Sequence, residues 1–222
     1  MAAGRSPARE PDAHPLSSGP EPEARRRSRH QGRGGAPISE DVVLVHPPSV
    51  HDFRDRAIFY GPISDVIPSS PVFEMYPIGF ATMAAHLRRH GRSVRIVNLA
   101  LRMMRSPDFD AEAFLGQFEP RLFGVDLHWL PHAHGAPEVA ALLKRLHPDV
   151  PVVFGGISSS YFHEELVRDH PVDFVIRGSV AEPCLLELVR ELEGEGLIGR
   201  IPNLTWRDDG EVRVNPAAFV PA

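Results

Sequence analysis

Short apolar runs recur along residues 41–176, and each stops at Pro, Gly or a polar residue before a stretch with helical spacing. The first is Asp41-Val42-Val43-Leu44-Val45-His46, closed by Pro47-Pro48. It is apolar at successive positions, as a parallel strand buried on both faces must be. The second is Val94–Asn98, the third Leu122–Leu127, the fourth begins at Val152, and the fifth is centred on Phe174. Between them the spacing predicts helices over 76–90, with Ile78, Met83, Ala84 and Leu87 as the apolar face and Gly91 as the stop. Further helices are predicted over 110–118, 137–146, 161–168 and 183–193. Strand and helix in alternation imply right-handed crossovers and a five-stranded parallel sheet covered on both faces. After Gly199 the pattern changes: residues 203–207 and 211–214 flank Asp208-Asp209-Gly210, a hairpin signal.

Two strand ends carry the most information. Val152-Val153-Phe154-Gly155-Gly156-Ile157-Ser158 and Val172-Asp173-Phe174-Val175-Ile176-Arg177-Gly178, with Glu182 close behind, each end an apolar run at glycine before a helix. Ligand crevices of parallel sheets lie at such carboxyl ends. Glycine there lets backbone approach a large ligand without a Cβ in the way. Ser158, Ser159 and Ser160 supply either hydrogen bonds to a ligand or a helix cap. Glu182 either compensates a helix dipole or reaches a ligand or neighbouring domain.

Composition sets limits. Residues 1–40 are rich in Pro, Gly, Ser, Ala and Arg and poor in large apolar side chains, so a disordered tail is expected there. Its Arg25, Arg26, Arg27, Arg29 and Arg33 are basic, but Glu10, Asp12, Glu21 and Glu23 argue against a transit peptide. The net charge of -5 gives no pointer to nucleic acid. No apolar run approaches the ~20 residues of a membrane span, and there is no secretory-type leader, so a cytoplasmic protein is expected. The one cysteine, Cys184, reads as a small buried hydrophobe, and alone it cannot hold an iron–sulfur cluster.

The remaining motifs are weighed by chemistry. His128, His132 and His134 follow the third strand and read either as a metal site or as a polar loop at a helix start. Lacking cysteines and a carboxylate partner nearby, they are not assigned to a metal. Trp129 among them suits a pocket wall. No G-x-G-x-x-G follows the first strand and no phosphate loop occurs, which removes the main support for dinucleotide or phosphate-loop chemistry. No nucleophile–base–acid set is visible, so no catalytic residue is named.

Taken in order, Val45-His46-Pro47-Pro48, Tyr76-Pro77-Ile78-Gly79, Gly124-Val125-Asp126-Leu127-His128-Trp129, Phe154-Gly155-Gly156 and Asp173-Phe174-Val175-Ile176-Arg177-Gly178 with Glu182 resemble a known set. The chain is similar over residues 41–215 to the N-terminal cobalamin-binding domain of the cobalamin-dependent radical S-adenosylmethionine (SAM) enzymes. The resemblance implies a flavodoxin-like Rossmann sheet over 41–200 with the corrin across its strand ends. It implies that Pro47, Pro48, Tyr76, Gly79, His128, Trp129, Gly155, Gly156, Ser158, Arg177, Gly178 and Glu182 frame the cofactor. It implies a hairpin and linker over 201–222 leading to a radical SAM domain, in a separate partner or missing from this chain. Two motifs depart from the pattern. The Asp-x-His-x-x-Gly of mutases, whose histidine ligates cobalt, is missing after the first strand; Asp126-Leu127-His128 echoes it after the third, with Pro131 where glycine should stand. The Cys-x-x-x-Cys-x-x-Cys motif of the radical domain is also missing. The expectation is a cobalamin-binding module without catalysis of its own. The alternative is a nucleotide-sugar-binding domain of glycosyltransferase type.

Overall fold

The computed structural model describes residues 37–55, 77–195 and 197–219. Tyr76, almost all of the expected tail and most of the long connection after the first strand lie outside the described residues. The strands are β1 (Ile38–His46), β2 (Val94–Asn98), β3 (Phe118–Asp126), β4 (Val152–Gly155), β5 (Phe174–Ile176), β6 (Leu204–Asp208) and β7 (Glu211–Val214). The helices are α1 (Ile78–Arg89), α2 (Leu99–Arg105), α3 (Ala111–Leu115), α4 (Gly135–Leu146), α5 (Ile157–Tyr161), α6 (His163–Asp169) and α7 (Glu182–Arg190).

All seven strands form one sheet in the order β2-β1-β3-β4-β5-β6-β7. The first five are parallel, and β6 and β7 continue the same sheet antiparallel to β5 and to each other. This is the flavodoxin-like order, with the hairpin added to one edge. Period-two side chains divide the core. Val42 and Leu44 pack with Phe80, Ala84 and Leu87 of α1 and Leu185 and Leu188 of α7. Val43 and Val45 pack with Leu99, Met103, Leu115, Val139, Leu143 and Val167 on the opposite face. Each such side chain stabilises the fold by about 1.5–3 kcal/mol relative to exposure, so the continuous run in β1 requires helices on both sides.

The sequence reading needs several corrections. β1 starts at Ile38, inside the expected tail, because Ile38 pairs with Phe118 and Glu40 holds Arg95 at 2.8 Å. β3 starts at Phe118, which had been assigned to a helix, because Phe118 and Pro120 are buried while Glu119 and Arg121 are exposed. The reading missed α2, which Asn98 caps by accepting the Leu101 amide at 2.8 Å. The helix expected over 161–168 is α6, starting at His163, and a short unexpected helix, α5, precedes it and is broken from it at Phe162. The last helix ends at Arg190 in a wider turn interrupted at Gly194, whose φ is 118°. Ile78 is not on the buried face of α1: it is 72% exposed, and Phe80, Ala84 and Leu87 form the buried stripe.

The hairpin turn is as expected, with Asp209 and Gly210 both at positive φ (47° and 86°). Its strand β6 is tied to α6, where Thr205 Oγ1 lies 2.9 Å from His163 Nδ1. Burial, then the charge of Arg177, hold the His163 pKa below its ordinary value, against the opposing pull of Glu164 and Glu165. The folded state therefore resists protonation that the unfolded chain accepts. Stability is full above the ordinary histidine value of about 6.5 and is lost as pH falls below it. Denaturant midpoints measured from pH 7.5 to 5 should fall, and His163→Gln should flatten that fall.

Close approach fixes the loop after β1. The Gly135 amide donates to Ser49 O at 2.9 Å, and a Cβ at Gly135 would stand 1.8 Å from Pro48 O. Helix propensity alone favours alanine here by up to about 1 kcal/mol. The backbone overlap is larger, since over-packing costs about 3 kcal/mol at the upper end of its usual range. Gly135→Ala should therefore lower the unfolding free energy by about 2 kcal/mol in urea titration.

Candidate functional site

At β1 the chain reverses its direction across the sheet, first placing β2 on one side and then β3 to β5 on the other. The carboxyl ends of β1 and β3 form the resulting switch point, where crevices open. His46 ends β1 and is 1% exposed. Its Nδ1 lies 2.9 Å from Asp126 Oδ2 at the end of β3. Asp126 Oδ1 accepts the His128 amide at 2.9 Å. The fully buried His132 ring meets His46 edge-on, with centroids 5.1 Å apart.

Beside this pair a cavity of about 300 Å³ opens between the sheet and helices α1 and α7. Its wall includes Leu44, Phe80, Met83, Val153, Ile176 and Leu185, with His46, Asp126, His128 and Trp129 towards the strand ends. Two glycines shape this wall, one by letting Leu44 pack close and one by leaving space. Gly124 pairs with Leu44 and Val153, and a Cβ there would strike Leu44 Cδ2 at 2.7 Å. Gly155 lies two residues after Val153 on the same face, and its missing Cβ leaves open space.

Two apolar side chains of the cavity lining are themselves exposed, Ile78 at 72% and Trp129 at 41%. Ile157 and Tyr161 of α5, the helix that follows Gly156, are also exposed. Leu130 and Phe162 line a separate hollow with Leu127, Pro137 and Leu166. Exposed apolar groups beside a cavity mark an interaction surface. Thr82 of α1 donates to Glu182 Oε1 of α7 at 2.7 Å, joining the two helices near Gly79.

The expected site residues divide into two groups. Gly79, His128, Trp129, Gly155 and Gly156 line the cavity. Gly156, at φ 116°, brings its Cα so near His128 that a Cβ would lie 2.6 Å from that residue's Cα. The others surround that wall. Pro47 and Pro48 are buried against the start of α4. Ser158 donates its hydroxyl and amide to His128 O at 3.1 and 3.2 Å. Gly178, at φ 94°, donates its amide to Ser160 Oγ at 3.0 Å. Arg177 turns to the hairpin, with Nε 3.3 Å from Asn203 O and Nη2 on Asn215 O; burial lowers its pKa. Glu182 stands at the α1–α7 junction.

The histidines after β3 do not converge. His132 is buried, His134 is exposed at the start of α4, and His128 packs on Trp129 at 4.8 Å. Among the described residues, no three His, Cys, Asp or Glu side chains are grouped to hold a metal ion. The Ser158 and Ser159 amides at α5 are bonded to His128 and Leu127 carbonyls, so they do not offer an anion site. Cys184 is buried, with Sγ 3.3 Å from Pro202 O and burial pushing its pKa up. The His46–Asp126 pair escaped the sequence reading, although one polar residue closing an all-apolar strand is its signal. Among the described residues no helix is long and apolar enough to cross a membrane.

Comparison with known proteins gives these geometries a context. The family described as the B12 binding domain matches residues 65–185. Cytidylyl-2-hydroxyethylphosphonate methyltransferase of Streptomyces wedmorensis is 25% identical over 158 residues, covering 64% of this chain and 29% of that protein. Anaerobic magnesium-protoporphyrin IX monomethyl ester cyclase of Synechocystis is 27% identical over 71 residues, 32% of this chain and 14% of that protein. Among solved structures, the radical SAM methyltransferase TsrM of Kitasatospora setae, with cobalamin and an iron–sulfur cluster bound, superposes with a TM-score of 0.59. It is 22% identical, over 83% of this chain and 30% of that one. The cobalamin-dependent SAM radical enzyme OxsB, with aqua-cobalamin bound, gives a TM-score of 0.55 at 15% identity, over 82% and 23% of the chains. These structural likenesses show the fold. The chain spans less than a third of the length of each of these relatives.

The Asp126 carboxylate holds both the buried His46 and the His128 amide. Removing it leaves two polar groups to be satisfied at the switch point, at about 1–3 kcal/mol for each buried group. Asp126→Ala should lower the unfolding free energy by about 3 kcal/mol in urea, and Asp126→Asn, which keeps an acceptor, by less than half of that.

Proposed function

This chain belongs to the B12 binding domain family, and from that premise we propose that it binds one cobalamin at the carboxyl ends of β1, β3, β4 and β5. The observation that carries the reading is the cavity of about 300 Å³ beside the open space at Gly155, with exposed Ile78 and Trp129 in its lining. The volume is within the range of small-molecule sites. It suits the slender nucleotide tail of the cofactor, and the exposed Ile78, Trp129, Ile157 and Tyr161 suit the broad apolar edge of a corrin. The residues present fit the group.

In this reading Gly79, His128, Trp129, Gly155 and Gly156 touch the cofactor directly. Pro47, Pro48 and Ser158 fix the loops behind them, Arg177 and Gly178 close the β5 side, and Glu182 fixes the α1–α7 mouth. Tyr76 is proposed from the sequence resemblance alone. Bound cobalamin supplies a cobalt centre able to carry a methyl group or an electron. The chain's own residues bind and orient: the glycines admit the tail, Trp129 covers an apolar face, and the Asp126–His46 pair keeps the two loops at fixed separation.

The wider role follows the methyltransferases that the chain resembles. We assign residues 41–200 to the cofactor domain and the segment from 201 onward to a connection towards a radical SAM domain. The hairpin supports this, because β6 starts and the segment after β7 returns at the cavity end of the sheet. There Asn203 exchanges two hydrogen bonds of 2.9 Å with Ala218. A nucleotide-sugar reading has no comparable support, since the turn after β4 has its Ser158 and Ser159 amides engaged.

The test is cobalamin uptake. Anaerobic incubation of the chain with hydroxocobalamin, desalting and a visible spectrum should give about one corrinoid per chain. A folded chain, verified by circular dichroism, that retains none would overturn the reading.

A further inference from the structure

Cobamides share a corrin and differ in the base that ends the nucleotide tail, which is a benzimidazole in cobalamin and a purine or another ring in its relatives. We propose that the cavity of this chain selects a benzimidazole-type base over a purine-type base, with Met83, Leu185 and Gly155 as specificity-determining positions. The inference rests on the cobalamin reading and extends it to a choice among cofactors.

The argument is one of polarity, because the two bases are flat bicyclic rings of nearly the same outline. Met83 of α1 and Leu185 of α7 face Leu44, Val153 and the open space at Gly155 across the cavity. All of these lie on the inner wall. The polar side chains His46, Asp126 and His128 lie at the strand-end side of it, since each follows its strand's apolar positions.

Asp126 and the Gly155 and Gly156 carbonyls, which reach the wall, are already bonded. Both Asp126 oxygens are engaged, one by His46 Nδ1 and one by the His128 amide. The Gly155 carbonyl accepts the Leu127 amide at 2.9 Å, and the Gly156 carbonyl accepts the Ser159 and Ser160 hydroxyls. Leu44, Gly124 and Val153 are paired side by side within the parallel ladder. A dimethylated benzimidazole asks little of such a wall. A purine brings an exocyclic amine and further ring nitrogens, and each polar group left without a partner in an apolar site costs binding energy. An apolar pocket discriminates against one added polar group by about 10- to 100-fold, so that is the expected margin.

The experiment titrates the full chain with three aquo-corrinoids and follows the visible spectrum: cobalamin, its adenine-containing analogue, and cobinamide, which has no tail base. Cobalamin should bind most tightly, with the adenine analogue about 10-fold or more weaker and cobinamide weaker too. Equal affinity for cobalamin and the adenine analogue, with cobinamide weaker, overturns the selectivity while leaving the cobalamin reading intact. Cobinamide binding as tightly as cobalamin overturns the use of the cavity by the tail. Retention of none of the three overturns the cobalamin reading itself.

Two variants locate the effect. Met83→Gln, a near-isosteric change that adds an amide to the wall, should narrow the preference at least about threefold. An unchanged ratio would overturn the role of Met83. Gly155→Val places methyl groups in the open space and should weaken cobalamin to the level of cobinamide, whereas an unchanged cobalamin affinity would overturn the role of Gly155. Melting curves of both variants separate loss of binding from loss of fold.

Discussion

One carboxylate organises the ligand end of this protein. β1 lies between β2 and β3 in the parallel sheet and is covered on both faces, so the residue that closes it is buried whatever its chemistry. That residue is His46, and a buried imidazole requires partners. Asp126 on the neighbouring strand provides one, and its second oxygen holds the His128 amide. The two loops diverge from this point, the one after β1 towards α4 and the one after β3 towards α5. Gly135 and Gly156 then admit backbone at distances that a side chain would forbid. The cavity beside these loops, between the sheet and helices α1 and α7, has His46, Asp126 and His128 on its strand-end side.

The glycines on the α1/α7 side add a second constraint. A strand interior generally carries side chains that pack, and glycine there is unfavourable by roughly 0.5–1 kcal/mol relative to alanine. Gly124 and Gly155 occupy adjoining strands on one face, where packing would otherwise continue from Leu122 and Val153. The opposite face, with Phe123, Phe154 and Val125, is filled. The sheet is thus closed on one side and open on the other at the same level along its strands. Such asymmetry has a physical reason if the open side is completed by a ligand, whose binding would return the missing contacts to the folded state.

Much of this was legible in the residues. The continuous apolar run from Val42 to Val45 made β1 readable as a buried parallel strand, and the alternation with helices gave the crossovers. Gly155, Gly156 and Trp129, which line the cavity, were legible as candidates because glycines end an apolar run before a helix and Trp129 suits a pocket wall, although the glycine pair also suits an ordinary tight turn. The polar network was not, because His46 and Asp126 are 80 residues apart in sequence and only the sheet order makes them neighbours. Phe118 was misplaced for a related reason. Its alternating segment, Phe118 to Arg121, is also compatible with the end of an amphipathic helix, and only pairing with Ile38 decides between the two. Arg177 was placed at the cofactor by the resemblance alone, and nothing in the residues signalled that its guanidinium donates to two carbonyls of the hairpin region.

That last interaction links the hairpin to the crevice. β6 runs antiparallel to β5, so Leu204 lies beside Ile176 at the cavity end. Asn203, just before it, adopts φ 62° and receives the returning chain through Pro216 and Ala218. Asn215, 7% exposed, joins Trp206 to the carbonyls of Ile198 and Ile201. The half-buried Arg177 guanidinium donates to the carbonyls of Asn203 and Asn215 and so holds two segments in register. Here it fixes both the entry to β6 and the exit from β7 at the level of the cavity mouth. The hairpin therefore does more than lengthen the sheet: it sets the position from which residues 215–219 run, at the same end of the sheet as the candidate site.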